Sequence, residues 1–301
     1  MMPHFVTACI PCSRRIGFHA SAFLLAACSV AIAQKQPNLT HDNRRVVDSI
    51  NVALKKEETR TLISGDLGSN IYLNTASVVT GEPGSPVTLA WIVFPHDRVA
   101  FRTCRINKIG PANNLYESYS PKRALALING GFYGFNGENR ETPLGLLISD
   151  GQQLSPIVNS WKSGGVIVQR NTDAEIVPIS QKDKLGNPSQ ALQSKPLLIE
   201  KGLLAVKTNA NDEPFNRSAI GLTDKGDIVV AAAVRSDNQA LTLYDFGRFL
   251  TLLKSVKGIS IKVALNLDGA TDSHLYIVSP AQHFGYVGSN YVPSALAIVP
   301  R

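Results

Sequence analysis

The sequence is dominated by short apolar runs, each closed by glycine, proline, asparagine or aspartate. Between residues 61 and 109 such runs are separated by turn-rich segments at 81–84 and 95–97. Short runs rich in β-branched and aromatic residues, bounded in this way, are typical of strands. Residues 241–256 differ, because their apolar side chains recur at three- and four-residue spacing and predict a helix that ends at Gly258. The pattern predicts an α+β fold: a twisted core of mixed or antiparallel sheet with a few packing helices.

Residues 1–33 have the features of a secretory signal peptide. Arg14 and Arg15 precede an apolar stretch, and Ala31-Ile32-Ala33 matches the small-x-small pattern of a cleavage site. Two other interpretations remain open: the segment ending at Cys28 resembles a bacterial lipobox, and the leader could stay as an N-terminal anchor. We expect a periplasmic or secreted protein of a bacterial envelope, bound to a membrane only if Cys28 is lipidated or the leader is retained.

Charge and length limit the rest of the chain. We predict that residues 34–60 form a partly helical lead-in segment and that residues 61–301 form the main domain. The net charge is +7, and loss of the two leader arginines leaves +5. Because the basic residues are neither clustered nor interleaved with aromatic ones, a nucleic-acid partner is poorly supported. A modest positive field favours an anionic substrate.

Cysteine usage excludes a disulfide framework within the mature chain. Three of the four cysteines lie in the leader, and only Cys104 follows it. Cys104 occupies an alternating apolar stretch, so we predict a buried thiol on a strand rather than a nucleophile. Neither a cysteine metal cluster nor a cofactor is predicted.

The stretch 261–273, IKVALNLDGATDS, is the first candidate for a site. An apolar strand ends there in polar residues, and Asn266 and Asp268 have the same parity on a strand, so both would face one side. Gly269 would let the chain turn. The alternative is an ordinary hairpin turn, for which Asp-Gly is a common signal.

A second strand ends in a similar way at Asn129. Gly130 and Gly131 follow and would allow positive φ and a close approach of the backbone. Phe132 and Tyr133 come next, and aromatic faces often form the walls of ligand sites.

The order of these segments resembles the phosphodiester glycosidase family over residues 87–299. The resemblance rests on five motifs in the family order. They are Asn129-Gly130-Gly131-Phe132-Tyr133, Pro143-Leu144-Gly145, Gln193-Ser194-Lys195-Pro196, Arg217-Ser218-Ala219-Ile220-Gly221 and Asn266-Leu267-Asp268-Gly269-Ala270-Thr271-Asp272-Ser273. In the last motif Ala270 and Thr271 stand where the family has glycines, and Asp272 stands where it has serine. The resemblance therefore implies a divergent bacterial member, with a stiffer loop that carries an extra carboxylate.

Members of this family remove a sugar that is linked through a phosphodiester, so the implied substrate is a glycosyl phosphodiester or another anionic glycan. The implied catalytic residues are Asp268, Arg217 and Asp272. The implied substrate-binding residues are Asn129, Gly130, Gly131, Tyr133, Ser218, Asn266 and Gly269. No metal ligand is implied.

The chemistry of each residue type suggests a role for each of these candidate site residues. A guanidinium binds phosphate oxygens bidentately, which suits Arg217, and the backbone N–H groups of Gly130, Gly131 and Gly269 could form anion nests. Asp268 would stabilise the oxocarbenium-like centre or activate water, with Asp272 as an accessory base. Asparagine and aspartate at strand ends also often do no more than cap neighbouring backbone.

Two other functions remain open. A non-catalytic envelope module that binds sugar or phosphosugar polymers would share the pocket but need no placed carboxylate. A divalent-metal hydrolase could use Asp268, Asp272 and His274 as ligands.

Overall fold

The computed structural model describes residues 39–63, 71–80, 84–105, 124–135, 141–279, 281–285 and 292–301. The predicted signal peptide, with Cys28, lies outside these residues. Residues Asn38–Arg301 form one compact unit.

The helices are α1 (Leu39–Leu54) and α2 (Leu243–Lys257), with short 3-10 helices at Ile179–Lys184 and Ala270–Asp272. The strands are β1 (Glu58–Ile63), β2 (Ile71–Val78), β3 (Val87–Phe94), β4 (Val99–Arg105), β5 (Ala126–Asn129), β6 (Tyr133–Phe135), β7 (Glu141–Pro143), β8 (Leu147–Ser149), β9 (Gln152–Ser155), β10 (Gly165–Arg170), β11 (Asp173–Pro178), β12 (Gln190–Ser194), β13 (Leu197–Glu200), β14 (Leu203–Leu204), β15 (Arg217–Thr223), β16 (Ile228–Val234), β17 (Ile261–Asn266), β18 (His274–Ile277), β19 (Gln282–Gly285) and β20 (Ser294–Pro300).

The strands form three larger sheets and one small ribbon. An eight-stranded sheet has the order β1-β2-β3-β16-β15-β17-β13-β14. Two five-stranded sheets have the orders β11-β10-β12-β8-β9 and β19-β18-β5-β20-β4, and β6 pairs with β7. Within the described part of the chain these pairings are antiparallel. The predicted α+β class is confirmed.

One hydrophobic core takes side chains from all three larger sheets. Phe94 and Ile220 reach it from the eight-stranded sheet, Ile128 and Leu296 from one five-stranded sheet, and Ile167 from the other. These residues are almost fully buried, so the sheets face one another across a shared interior.

The opposite face of the eight-stranded sheet is covered by both helices. Leu54 of α1 and Phe249 of α2 are fully buried there, and Phe249 packs edge-on against Trp91 of β3. Helix α1 lies within the predicted lead-in segment 34–60. None of the described helices is long and apolar enough to cross a bilayer.

Helix α2 confirms the clearest prediction made from periodicity. Thr242 caps its N-terminus by accepting a hydrogen bond from the N–H of Asp245, and Gly258 ends it with φ of +70°. The chain then enters β17, the strand that leads into the signature motif. The thiol of Cys104 is buried on β4, as predicted, and donates to the carbonyl of Ala295.

Candidate functional site

Strand ends from two different sheets meet at one place. β5 ends at Asn129, β15 begins at Arg217 and β17 ends at Asn266. β15 and β17 are neighbours in the eight-stranded sheet, whereas β5 belongs to a five-stranded sheet. The backbone joins them, because the N–H of Asp268 donates to the carbonyl of Gly130 at 3.0 Å. Motifs far apart in the sequence therefore form one site.

The side chain of Asn129 holds this junction together. Its Nδ2 donates to the carbonyls of Asp268 and Gly130 at 2.9 and 3.2 Å. Its Oδ1 accepts from Ser218 Oγ at 2.7 Å and from the N–H of His274 at 3.0 Å. The amide is thus saturated with protein partners. Asn129 and Ser218 are both buried, which indicates that they position the Asp268 turn; direct contact with substrate stays a prediction.

Asn266 is placed differently. Its Nδ2 donates to the carbonyls of Lys195 and Leu267 at 3.0 and 2.6 Å. Its Oδ1 is buried and has no hydrogen-bond partner within the described residues. A buried acceptor without a partner costs roughly 1–3 kcal/mol.

The guanidinium of Arg217 is largely committed to the protein. Its Nε donates to the carbonyl of Leu241 at 3.0 Å, and its Nη2 donates to the carbonyl of Glu213 at 2.8 Å and to Asp212 Oδ1 at 3.2 Å. Burial lowers the pKa of Arg217, while the carboxylate of Asp212 opposes that change. Both nitrogens of one guanidinium edge are therefore occupied.

Asp212 ties Arg217 to helix α2. Its two carboxylate oxygens accept hydrogen bonds from the N–H groups of Leu243 and Tyr244 at 2.9 and 3.1 Å, at the start of the helix. The Nη1 of Arg217 faces the signature turn, 3.5 Å from the point that a Cβ on Gly269 would occupy. The expected bidentate phosphate contact does not fit this geometry, since only Nη1 remains directed at the turn.

Close packing explains the two glycines after Asn129. A Cβ on Gly130 would lie 2.2 Å from Ser294 Oγ, and one on Gly131 would lie 2.5 Å from the carbonyl of Gln193. The close approach of the backbone is therefore confirmed, whereas positive φ is found at neither glycine.

The anion nest predicted for the glycine N–H groups is wrong at two of its three positions. The N–H of Gly130 donates to the carbonyl of Ser294 at 2.7 Å, and the N–H of Gly269 donates to Asp268 Oδ1 at 2.8 Å. These two N–H groups are therefore already bonded, one to β20 and the other to the side chain of Asp268, and neither is available to an anion. Both glycines remain predicted substrate neighbours through position alone.

The signature motif forms a tight turn after β17. Gly269 has an extended backbone, and residues Ala270–Asp272 form one turn of 3-10 helix. Ala270 has φ of +58°, a left-handed conformation at a position where the resemblance implies glycine. Its N–H donates to the carbonyl of Asn216 at 2.9 Å, which fixes the turn against the start of β15.

A side-chain contact links the first and last motifs. The hydroxyl of Tyr133 donates to Asp272 Oδ2 at 3.3 Å. The resemblance implies serine at position 272. The side chain of Asp272 is longer and acidic, and it makes this contact with Tyr133. The extra carboxylate is therefore part of the same site as Asp268.

Asp268 is an unusual carboxylate. Burial raises its pKa to about 7, the neighbouring carboxylate of Asp272 adds to the increase, and the N–H of Gly269 partly opposes it. Near neutral pH the group is divided between its protonated and ionised forms. A carboxyl group of that kind can take or give a proton at working pH, as a general acid or base must.

The histidine next to the motif serves the structure instead. His274 is fully buried, its Nδ1 lies 2.9 Å from His283 Nε2, and its ring stacks with Tyr276. Burial lowers its pKa to about 3, so the ring is neutral. Within the described residues no group of three or more His, Cys, Asp or Glu side chains is arranged to hold a metal. The alternative of a metal hydrolase built on Asp268, Asp272 and His274 therefore has no support from the geometry.

A cationic cluster that the sequence did not reveal lies beside the glycine motif. Lys195 Nζ is 5.2 Å from the ring centroid of Trp161 and 5.7 Å from that of Phe132. All three side chains are partly exposed. Lys195 occupies a variable position of the Gln-x-x-Pro motif, and Trp161 lies in a loop outside every motif, so no pattern marked them.

Two solved structures, from Burkholderia pseudomallei and Synechocystis, share the fold of this chain. A Burkholderia pseudomallei protein has a TM-score of 0.53 at 10% identity, covering 85% of this chain and 89% of that one. A Synechocystis protein without an assigned function has a TM-score of 0.51 at 17% identity, and the match covers 77% of this chain but only 62% of that one. The catalytic domain of zebrafish N-acetylglucosamine-1-phosphodiester α-N-acetylglucosaminidase, auto-inhibited by its pro-peptide, has a TM-score of 0.48 at 16% identity, covering 81% and 82%.

None of the curated proteins matches this sequence. The sequence model of one family does match, over residues 122–299, and its description is phosphodiester glycosidase. That range contains every residue of the site described above and more than half of the chain. The protein belongs to the phosphodiester glycosidase family.

Proposed function

We propose that this protein is a secreted or periplasmic hydrolase that removes a sugar from a glycosyl phosphodiester. The observation that carries the proposal is the placement of Asp268. Its pKa is raised to about 7, it stands beside a second carboxylate, and its turn is fixed by Asn129 at 2.9 Å. An aspartate that only capped neighbouring backbone would have no need of a half-buried carboxylate with a raised pKa.

The reaction suits a site with one strong base. Water attacks the anomeric carbon, the bond from that carbon to the phosphate oxygen breaks, and a phosphate monoester leaves. The second pKa of a phosphate monoester is about 6, so it leaves without a proton from the enzyme. Asp268 takes the proton of the attacking water. Because its pKa lies near 7, it is a stronger base than an ordinary aspartate and is still ionised often enough to act.

The other side chains have distinct parts in this proposal. Asp272, fixed by the Tyr133 hydroxyl at 3.3 Å, holds negative charge near the developing oxocarbenium centre. Asn266, whose Nδ2 donates to the carbonyls of Lys195 and Leu267, fixes the end of β17 next to the sugar. Arg217 acts mainly as a positioning residue, with Nη1 alone directed at the turn.

The test uses the protein recovered from the envelope of a bacterium that expresses the whole chain. It is incubated with the methyl phosphodiester of α-N-acetylglucosamine 1-phosphate and with related glycosyl phosphodiesters, and free sugar is measured. We expect turnover by the wild type, no effect of EDTA, and a loss of about 10²–10⁴-fold for Asp268→Asn. The matched control is Asp224→Asn, an exposed aspartate in the turn between β15 and β16.

The outcomes separate the open functions. Undiminished turnover by a folded Asp268→Asn variant would remove this residue from the mechanism. Binding of the diesters without turnover across the panel would favour the non-catalytic envelope module. The same preparation tests the leader: an N-terminus at Gln34 supports cleavage after Ala33, and a lipid on Cys28 supports the lipoprotein interpretation.

A further inference from the structure

Lys195 is held by two aromatic rings. Its Nζ lies 5.2 Å from the ring centroid of Trp161 and 5.7 Å from that of Phe132. The two rings are 5.7 Å apart and almost perpendicular, with an interplanar angle of 80°. The ammonium therefore sits in a corner between two π faces, each of which attracts it electrostatically.

This arrangement fixes the cation without neutralising it. Within the described part of the chain no carboxylate lies within ion-pair distance of Lys195 Nζ; the ion pairs are made elsewhere. An aromatic face orients an ammonium group but carries no net charge. Among the described residues Lys195 Nζ therefore has no anionic partner, and its N–H donors are available to an external anion.

The backbone of Lys195 adjoins the candidate site. The carbonyl of Lys195 accepts from Asn266 Nδ2 at 3.0 Å. Phe132 follows Gly131, whose backbone packs against the residue two positions before Lys195. Arg217, the other cation at this junction, is already paired with Asp212 at 3.2 Å. Of these two cations, Lys195 is the one without a carboxylate partner among the described residues.

We propose that Lys195 is the phosphate-binding cation of this site, with Phe132 and Trp161 holding its ammonium in place. The identity of the anion as a sugar-linked phosphate rests on the proposed function. The consequence is selectivity: Lys195 favours glycosyl phosphates over neutral glycosides of the same sugar, because only the former present an oxygen anion to it. Substrate choice is then set by a variable position of the motif.

The chain offers its own probe for this binding. It contains two tryptophans; Trp91 is fully buried in the core, and Trp161 is partly exposed beside Lys195. A ligand-dependent change in fluorescence therefore reports on Trp161 and needs no turnover. The probes are α-N-acetylglucosamine 1-phosphate, inorganic phosphate and, as the neutral match, N-acetylglucosamine, with isothermal calorimetry as a second measurement.

Two variants are compared. Lys195→Met keeps the approximate length of the side chain but removes its charge, and Lys195→Arg keeps the charge. The control is Lys225→Met, which removes an exposed lysine at the far end of β15. We expect Lys195→Met to weaken the binding of the sugar phosphate about 10- to 100-fold, which is the usual loss of affinity when a hydrogen bond to a charged group is removed. Binding of neutral sugar stays unchanged, Lys195→Arg recovers most of the affinity, and Lys225→Met has no effect.

Failure of the inference and failure of the proposed function give different results. Equal affinity of wild type and Lys195→Met for the sugar phosphate overturns the role of Lys195, even if diesters are hydrolysed normally. No binding of either anion to the wild type also overturns it. Lys195-dependent binding of the anion without hydrolysis of any diester supports the role of Lys195 and counts against the proposed reaction.

Discussion

Replacing Asp268 by asparagine should make the protein more stable above about pH 7 while it lowers turnover about 10²–10⁴-fold. The pKa of Asp268 is raised from the ordinary 3.8 of an aspartate to about 7, chiefly by burial. The folded state therefore favours the protonated carboxyl more than the unfolded chain does. Well below pH 3.8 both states are protonated and the residue costs nothing. Between pH 3.8 and about 7 the unfolded chain releases this proton while the folded protein keeps it, so stability falls across that range and levels off above it.

The size of the effect follows from the same two values. A tenfold change in a proton-binding constant corresponds to about 1.4 kcal/mol, so the full difference between 3.8 and about 7 corresponds to roughly 4 kcal/mol. Asp268 keeps part of its surface in water, and that water screens its charge. We therefore expect Asp268→Asn to raise the free energy of unfolding by about 1–2 kcal/mol at pH 8.

The assay is urea unfolding of wild type and variant at pH 4 and at pH 8, with the free energies compared at each pH. Asparagine has the same shape, and its Oδ1 can still accept from the N–H of Gly269, a bond of 2.8 Å in the wild type. The variant thus removes the charge and little else. Asp224→Asn is the control, because that side chain is exposed and loses no burial cost.

The reasoning would be refuted by a stability difference that is the same at both pH values. It would also be refuted if the variant lost stability between pH 4 and pH 8 relative to wild type, since the carboxylate would then be stabilised by the fold. A gain confined to high pH, together with lost turnover, would mean that the site keeps this carboxylate at a cost in stability for the sake of the reaction.

Two further substitutions test the geometry of the turn. Ala270→Gly should stabilise the protein by up to about 1 kcal/mol in urea unfolding, because φ of +58° is unfavourable for alanine; the same exchange at Ala264 on β17 should destabilise it, and a loss at both positions would contradict the argument. Asn129→Ala should lower the free energy of unfolding by about 1–3 kcal/mol, because it leaves the buried N–H of His274 without its acceptor and removes the bonds to Ser218 and to the Asp268 carbonyl; a loss below about 1 kcal/mol would show that the amide is dispensable.

Local patterns predicted the elements well. Helix α2, with its Thr242 cap and its Gly258 terminus, follows directly from apolar spacing and end signals. The hairpin between β15 and β16 turns at residues 224–227, where the sequence Asp-Lys-Gly-Asp is rich in turn-forming residues. These features depend on residues close in sequence, so a single chain contains the information needed to place them.

Predictions about free donors failed because they depend on distant partners. Arg217 reads as a phosphate ligand in the sequence, yet its Nε and Nη2 are taken by residues around the start of α2. The N–H of Gly130 is likewise taken by Ser294 on β20. The shared parity of Asn266 and Asp268 stays a prediction, since β17 ends at Asn266 and the chain turns only at Ala270, with φ of +58°. A motif shows which residues belong together, and only the fold shows which of their atoms are already bonded.

Geometry and selectivity are therefore carried by different residues in this site. Asn129 and Ser218 are motif residues that bond to each other and to the carbonyl of Asp268, and Asn129 also bonds to the backbone of Gly130 and His274. Replacing either residue would disturb the turn itself. Within the described residues the ammonium of Lys195 contacts aromatic faces only, and replacing this side chain would leave that turn in place. A fold can keep one catalytic turn and change its ligand through such positions. A site in which Lys195→Met altered stability as much as Asn129→Ala would contradict this division.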